Sequence, residues 1–92
     1  MKGVTLHPDA EAKADRAFEW YWVRSESAAI GFDAAFRGAI ATLRKSPQAC
    51  SPFLQTTRRI MLKRYPFFVV FRELPNTIQI VAVAHAKRRP GY

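Results

Sequence analysis

Apolar positions recur with two periods along this chain, and the change of period divides it. Ala10, Ala14, Ala17, Phe18 and Tyr21 fall at i, i+4, i+7, i+8 and i+11, the spacing of one helical face. Pro8 suits the first turn of that helix, where its missing N–H would be unpaired anyway. Asp9 and Glu11 sit where the helix dipole favours negative charge. The pattern predicts a helix to about Arg24. Ser25-Glu26-Ser27 breaks it, and either serine suits an N-cap. Phe32, Phe36, Ala39, Ile40 and Leu43 mark the buried stripe of a second helix. Arg44 and Lys45 complement the carbonyl end of that helix, and Ser46-Pro47 stops it. So short a break predicts two antiparallel neighbours, an αα-hairpin.

Elsewhere the period shortens to two. Lys2 to Leu6 reads as a short strand, with Val4 and Leu6 on one face. Residues 47–57 hold two prolines and little periodicity, which predicts a loop. From Arg58 to Lys63, Ile60 and Leu62 face one way and Arg59, Met61 and Lys63 the other. Lys63-Arg64-Tyr65-Pro66 is a tight connection, Phe67 to Leu74 a strongly apolar strand, and Pro75-Asn76-Thr77 a turn. Ile78 to His85 is the last strand, and Val81 with Val83 makes it apolar on both faces, as in a central strand. The order is β-α-α-β-β-β. Helices and strands are segregated, so the class is α+β: an N-terminal strand and a helical hairpin packed on a small antiparallel sheet, one domain over residues 1–92.

A chain of 92 residues buries only roughly 60–65% of the surface its unfolded form exposes, so its core is thin. Apolar residues make up 49% of the chain, which argues against disorder. No apolar run approaches the ~18 residues of a membrane span. Met1-Lys2-Gly3-Val4 opens no apolar signal core, and the lone Cys50 has no internal partner, so a reducing cytoplasm is expected. Charge is placed unevenly. Residues 1–46 carry seven Lys/Arg and six Asp/Glu, whereas residues 47–92 carry eight against the single Glu73. A field concentrated in one half steers an anionic partner, either nucleic acid or an acidic protein segment.

No chemical motif stands out. His7, Cys50 and His85 have no metal-ligand spacing, so no metal or other cofactor is expected. No G-x-S-x-G and no glycine-rich phosphate loop is present. Cleavage of RNA through its own 2′-hydroxyl needs less: an acid/base, supplied here by His85, and cations for the phosphate, among Arg59, Lys63, Arg64, Lys87, Arg88 and Arg89. Tyr65 and Tyr92 could stack on bases. The same cations could instead capture carboxylates of a protein with no catalysis at all. Trp20-Tyr21-Trp22 spans about 200° of helix circumference. A hairpin core cannot easily take all three, so a large aromatic is left exposed or covered by a partner.

The ordered set of these features resembles the RelE/ParE superfamily of bacterial toxins from type II toxin–antitoxin modules. The resemblance rests on His7-Pro8, Trp20-Tyr21, Phe32 and Phe36, Ser46-Pro47, Arg58-Arg59, Tyr65-Pro66-Phe67 before a Val-Val-Phe strand, Val83-Ala84-His85, and Arg89-Pro90-Gly91-Tyr92. It covers nearly the whole chain. RelE-like members are ribosome-dependent ribonucleases, and ParE-like members poison DNA gyrase. Against the RelE-like pattern, Arg59 and Tyr92 match a basic position and the late tyrosine. Met61, Phe68 and Ala86 stand where cations are expected, which removes most of the charge stabilisation such a site needs. Tyr65-Pro66-Phe67 with the late His85 looks more like the ParE side. The resemblance therefore implies a toxin that blocks gyrase rather than an enzyme. Arg58, Arg59, Lys63, Arg64, Lys87, Arg88 and Arg89 would form its target-binding face. The alternative is a ribonuclease acting at the ribosome through His85, Arg59 and Tyr92, and a further one is a degenerate, harmless protein-binding domain. The resemblance also implies a cognate antitoxin whose acidic flexible tail would cover Trp20, Trp22 and Tyr65 in a hetero-oligomer.

Overall fold

A computed structural model describes residues 2–87. The elements are β1 (Gly3–Leu6), α1 (Pro8–Trp22), α2 (Glu26–Lys45), β2 (Ser51–Pro52), β3 (Arg58–Met61), β4 (Phe67–Glu73) and β5 (Thr77–His85). The sheet order is β1-β5-β4-β3-β2. The expected α+β architecture, a helical hairpin on a sheet, is present. Two details differ from the sequence reading. β1 pairs with β5 in parallel, so the sheet is mixed rather than antiparallel. The stretch 47–57 is not all loop: after a single 3₁₀ turn at Pro47–Ala49 it adds the two-residue strand β2, antiparallel to β3.

The helix ends follow from local chemistry. His7 caps α1, its Nδ1 accepting from the Asp9 N–H at 3.1 Å. Ser25 Oγ accepts from the Ala28 N–H at 3.2 Å to start α2. The two helices cover one face of the sheet. Phe32, Leu43, Val69, Phe71, Ile78 and Ile80 are fully buried between the layers. On β5 the inward set changes parity. Val70 pairs with Ala82 but Phe71 with Ile80, so Val81 is an extra residue, a β-bulge. Ile78 and Ile80 point at the helices before it, and Val83 and His85 do so after it. That displacement turns His85 toward α1.

At the end of the sheet where β4 stops, Glu73 is the hub. Its Oε2 accepts from Lys2 Nζ at 2.8 Å and its Oε1 from Gln48 Nε2 at 2.9 Å. The Lys2 hydrogen bond holds its carboxyl below the ordinary carboxylate range. The Lys2 charge, the Gln48 bond and the Arg58 charge act in the same direction, and partial desolvation opposes them. A carboxylate whose native pKa is depressed stabilises the fold above its unfolded pKa, and loses that contribution as pH falls through the native one. Glu73→Gln is therefore expected to lower Tm at neutral pH. The gap between variant and parent should close as the pH drops below about 4. Thermal melts of both across this range check it, and a gap unchanged by acid would show that the charge of Glu73 contributes nothing.

Candidate binding site at the basic end of the sheet

At the opposite end, β4 begins and β5 finishes. Phe67 pairs with His85, and the Ala86 N–H donates to the Pro66 carbonyl at 2.7 Å. This pairing joins two basic stretches that lie more than twenty residues apart in sequence. The Lys63-Arg64 turn precedes β4, and Lys87 follows β5, all three exposed. Arg64 has a left-handed backbone, φ 69°. A side chain there costs about 1–2 kcal/mol relative to glycine, so the turn carries its charge despite a local loss of stability.

The other expected site residues are divided. Strand alternation sends Arg58 and Arg59 to opposite faces. Arg58 is taken up by the fold: its guanidinium donates to the Cys50 carbonyl at 2.7 Å and to Gln48 Oε1 at 3.2 Å. Burial pushes the adjacent Cys50 thiol up, against the opposing charge of Arg58, which leaves it a poor nucleophile. Arg59 lies on the face that no helix covers. Its guanidinium sits 5.0 Å from the Phe53 ring centre and 5.1 Å from that of Phe68. The same face carries Met61, 49% exposed, with Val70, Ala82 and Ala84. His85 is on the helix side of the sheet, its ring 5.0 Å from that of Phe67. The structure thus does not bring His85 and Arg59 to one phosphate. Arg88, Arg89 and Tyr92 lie outside the described residues. Among those described, no group of three His, Cys, Asp or Glu is gathered to hold a metal, and no helix is long and apolar enough to cross a membrane.

The aromatic triplet is resolved as helix geometry requires. Tyr21 points inward, 5.2 Å from Tyr65 and 5.5 Å from Phe32 between ring centres. Burial, with the neighbouring Tyr65 phenol, raises its pKa. Trp20 and Trp22 remain 52% and 48% exposed. Trp22 stacks on Phe18, and Arg24 lies 3.8 Å from the Trp20 ring centre. Tyr65 is less available than its sequence position suggests. Its hydroxyl donates to the Ala28 carbonyl at 2.8 Å, over Gly31 of α2.

Between α1 and this end of the sheet runs a groove of about 420 Å³. Lys13, Arg16, Ala17, Trp20 and Tyr21 line one wall, at i, i+3, i+4, i+7 and i+8 of α1. Pro66, Phe67 and His85 form the other. Lys13, Arg16 and Phe67 were not singled out by the sequence reading as site residues. The helical spacing of the first two with Trp20 was available, but nothing local showed that β5 would end opposite them.

The sequence profile of the family described as ParE toxin of type II toxin-antitoxin system, parDE, matches residues 4–90. A comparison with curated proteins finds no match. Among solved structures, the chromosomal ParDE TA system from P. aeruginosa is similar in fold, with a TM-score of 0.81 at 21% identity over 95% of this chain and 98% of that one. The profile spans almost every element described above, and the chain belongs to the ParE toxin family of type II toxin–antitoxin systems.

Proposed function

We propose that this protein arrests growth by binding DNA gyrase in the cytoplasm, breaking no covalent bond, and that a cognate antitoxin with an acidic flexible tail neutralises it in a hetero-oligomer. The observation that carries this reading is the basic end of the sheet. Lys63, Arg64 and Lys87 are exposed beside one another because Ala86 is bonded to Pro66. Such a cluster steers an acidic surface and fixes its orientation. Arg59 extends the positive charge onto the open face through its place between Phe53 and Phe68. Transfer chemistry is supported less well. An acid/base and a phosphate clamp must converge on one substrate, and His85 and Arg59 are on opposite faces of the sheet.

The test pairs two assays on the purified chain. Gyrase supercoiling is expected to be inhibited while ribosome-bound message stays intact. Lys63→Glu with Arg64→Glu is expected to weaken inhibition about tenfold or more, as for truncation of oriented interface charges. Message cut in the ribosomal A site, with cutting lost in His85→Ala, would replace this reading by the ribonuclease one. No effect in either assay would leave a binding domain without toxicity.

A further inference from the structure

The groove beside α1 has an apolar floor and a charged rim. Ala17, Tyr21 and Phe67 supply the floor, and Trp20 closes one flank. Lys13 and Arg16 stand on the helix wall one turn apart, a separation of about 5–6 Å between their Cβ atoms. Among the described residues neither forms an ion pair, although α1 also carries Asp9, Glu11, Asp15 and Glu19. The volume falls within the range of roughly 300–1,000 Å³ typical of ligand sites. A trough with apolar walls and two uncommitted cations on its lip selects an occupant that is greasy on one side and anionic on the other. A hydrated phosphate chain would leave the floor unused, and a second copy of this cationic protein would meet like charge.

We propose that an acidic amphipathic protein segment docks in this groove. A leucine or aromatic side chain lies over Ala17, Tyr21 and Phe67, and carboxylates one helical turn apart pair with Lys13 and Arg16. The inference deepens the neutralisation reading and rests on it only for the source of the segment, the antitoxin tail. The chemistry of the occupant comes from the groove itself. Arginine offers a fork that takes a carboxylate in two bonds, and lysine a point charge. The apolar floor supplies the buried anchor that such rims lack by themselves.

A short peptide tests this without a cognate partner: Glu-Glu-Leu-Phe-Glu-Glu-Leu-Leu-Glu-Glu, acetylated and amidated. Its binding is followed by amide chemical-shift changes on the labelled full chain. Shifts are expected to gather on Lys13 to Tyr21, Phe67 and His85. Lys13→Glu with Arg16→Glu is expected to weaken binding at least tenfold. Arg37→Glu with Lys45→Glu makes the same charge change on α2 and should weaken it less than threefold. A peptide with serine in place of leucine and phenylalanine should also lose at least tenfold. Equal losses from the two charge-reversed proteins would mean bulk attraction, and overturn the proposal. So would shifts gathered on Met61, Phe68 and Ala84. Groove shifts produced by a single-stranded oligonucleotide and not the peptide, or by protein concentration alone, would give the site to nucleic acid or to a second copy. Because the readout is binding, these outcomes stand apart from the gyrase assay. Groove binding by a chain that leaves gyrase untouched would retire the target reading alone.

Discussion

Truncation of Phe32 to alanine is expected to cost about 3–5 kcal/mol, a large share of the roughly 5–14 kcal/mol that a chain of this length holds. Phe32 is 2% exposed. Its ring meets four others, at 5.4 Å to Phe67, 5.5 Å to Tyr21, 5.7 Å to Tyr65 and 6.3 Å to Phe36. These neighbours come from α1, α2, β4 and the turn before β4, so one side chain joins the hairpin to the sheet. Removing it leaves a cavity whose walls are stiff aromatic rings, each already fixed by another contact, and relaxation recovers little. Phe36 offers the comparison. It stacks on Phe32 but is only half-buried, and Phe36→Ala should cost less than half as much. Urea titrations of the two variants decide the point. A Phe32→Ala midpoint no lower than that of Phe36→Ala would show that the layers are joined elsewhere. At growth temperature the larger loss should also reduce the amount of protein in the cell, so any toxicity should fall without a change at the basic end.

The periodic parts of this fold were legible in the chain because burial writes directly into spacing. The stripe from Ala10 to Tyr21 and that from Phe32 to Leu43 gave the hairpin, and the half-exposed state of Trp20 and Trp22 followed from helix geometry. Strand direction was not legible. Gly3 to Leu6 has the same alternation whichever way its neighbour runs, and the parallel partner β5 is seventy residues away. Nor was the bulge at Val81, since an extra residue in an apolar run changes no composition. Its effect is large all the same, because it decides that His85 faces α1. The division of Arg58 from Arg59 could have been read from strand alternation alone. That Arg58 is consumed by Cys50 and Gln48 could not, because it depends on how residues 47–52 return along β3. The groove is the same case at larger scale: Lys13 and Arg16 are visible on a helical face, and become a site only once register places Phe67 and His85 across from them.

Gly31→Ala is expected to destabilise this protein, against the usual direction. In a helix interior, alanine is favoured over glycine by about 1 kcal/mol. Here a Cβ would lie within 2.3 Å of the Tyr65 hydroxyl oxygen, so the phenol must leave its place over α2. That loses the bond to the Ala28 carbonyl, worth about 1 kcal/mol. It also disturbs the packing of the Tyr65 ring against Tyr21 and Phe32, and such overpacking costs about 1–3 kcal/mol. The sum outweighs the propensity gain by roughly 1–3 kcal/mol. The same geometry predicts a reversal. In the Tyr65→Phe background the clashing oxygen is gone, and the nearest remaining atom would be Cζ at 3.4 Å, the edge of ordinary contact. Gly31→Ala should there be neutral or stabilising. A double-mutant cycle measured by chemical denaturation therefore has a required sign: the cost of Gly31→Ala must shrink by at least 1 kcal/mol or so when the hydroxyl is absent. Equal costs in both backgrounds would place the strain in α2 itself. The Lys63-Arg64 turn gives an independent readout, since Tyr65 is its anchor. Amide shifts at Lys63 and Arg64 should move in Gly31→Ala and return toward the parent in the double variant, because the phenol that fixes the turn to the hairpin would no longer be displaced.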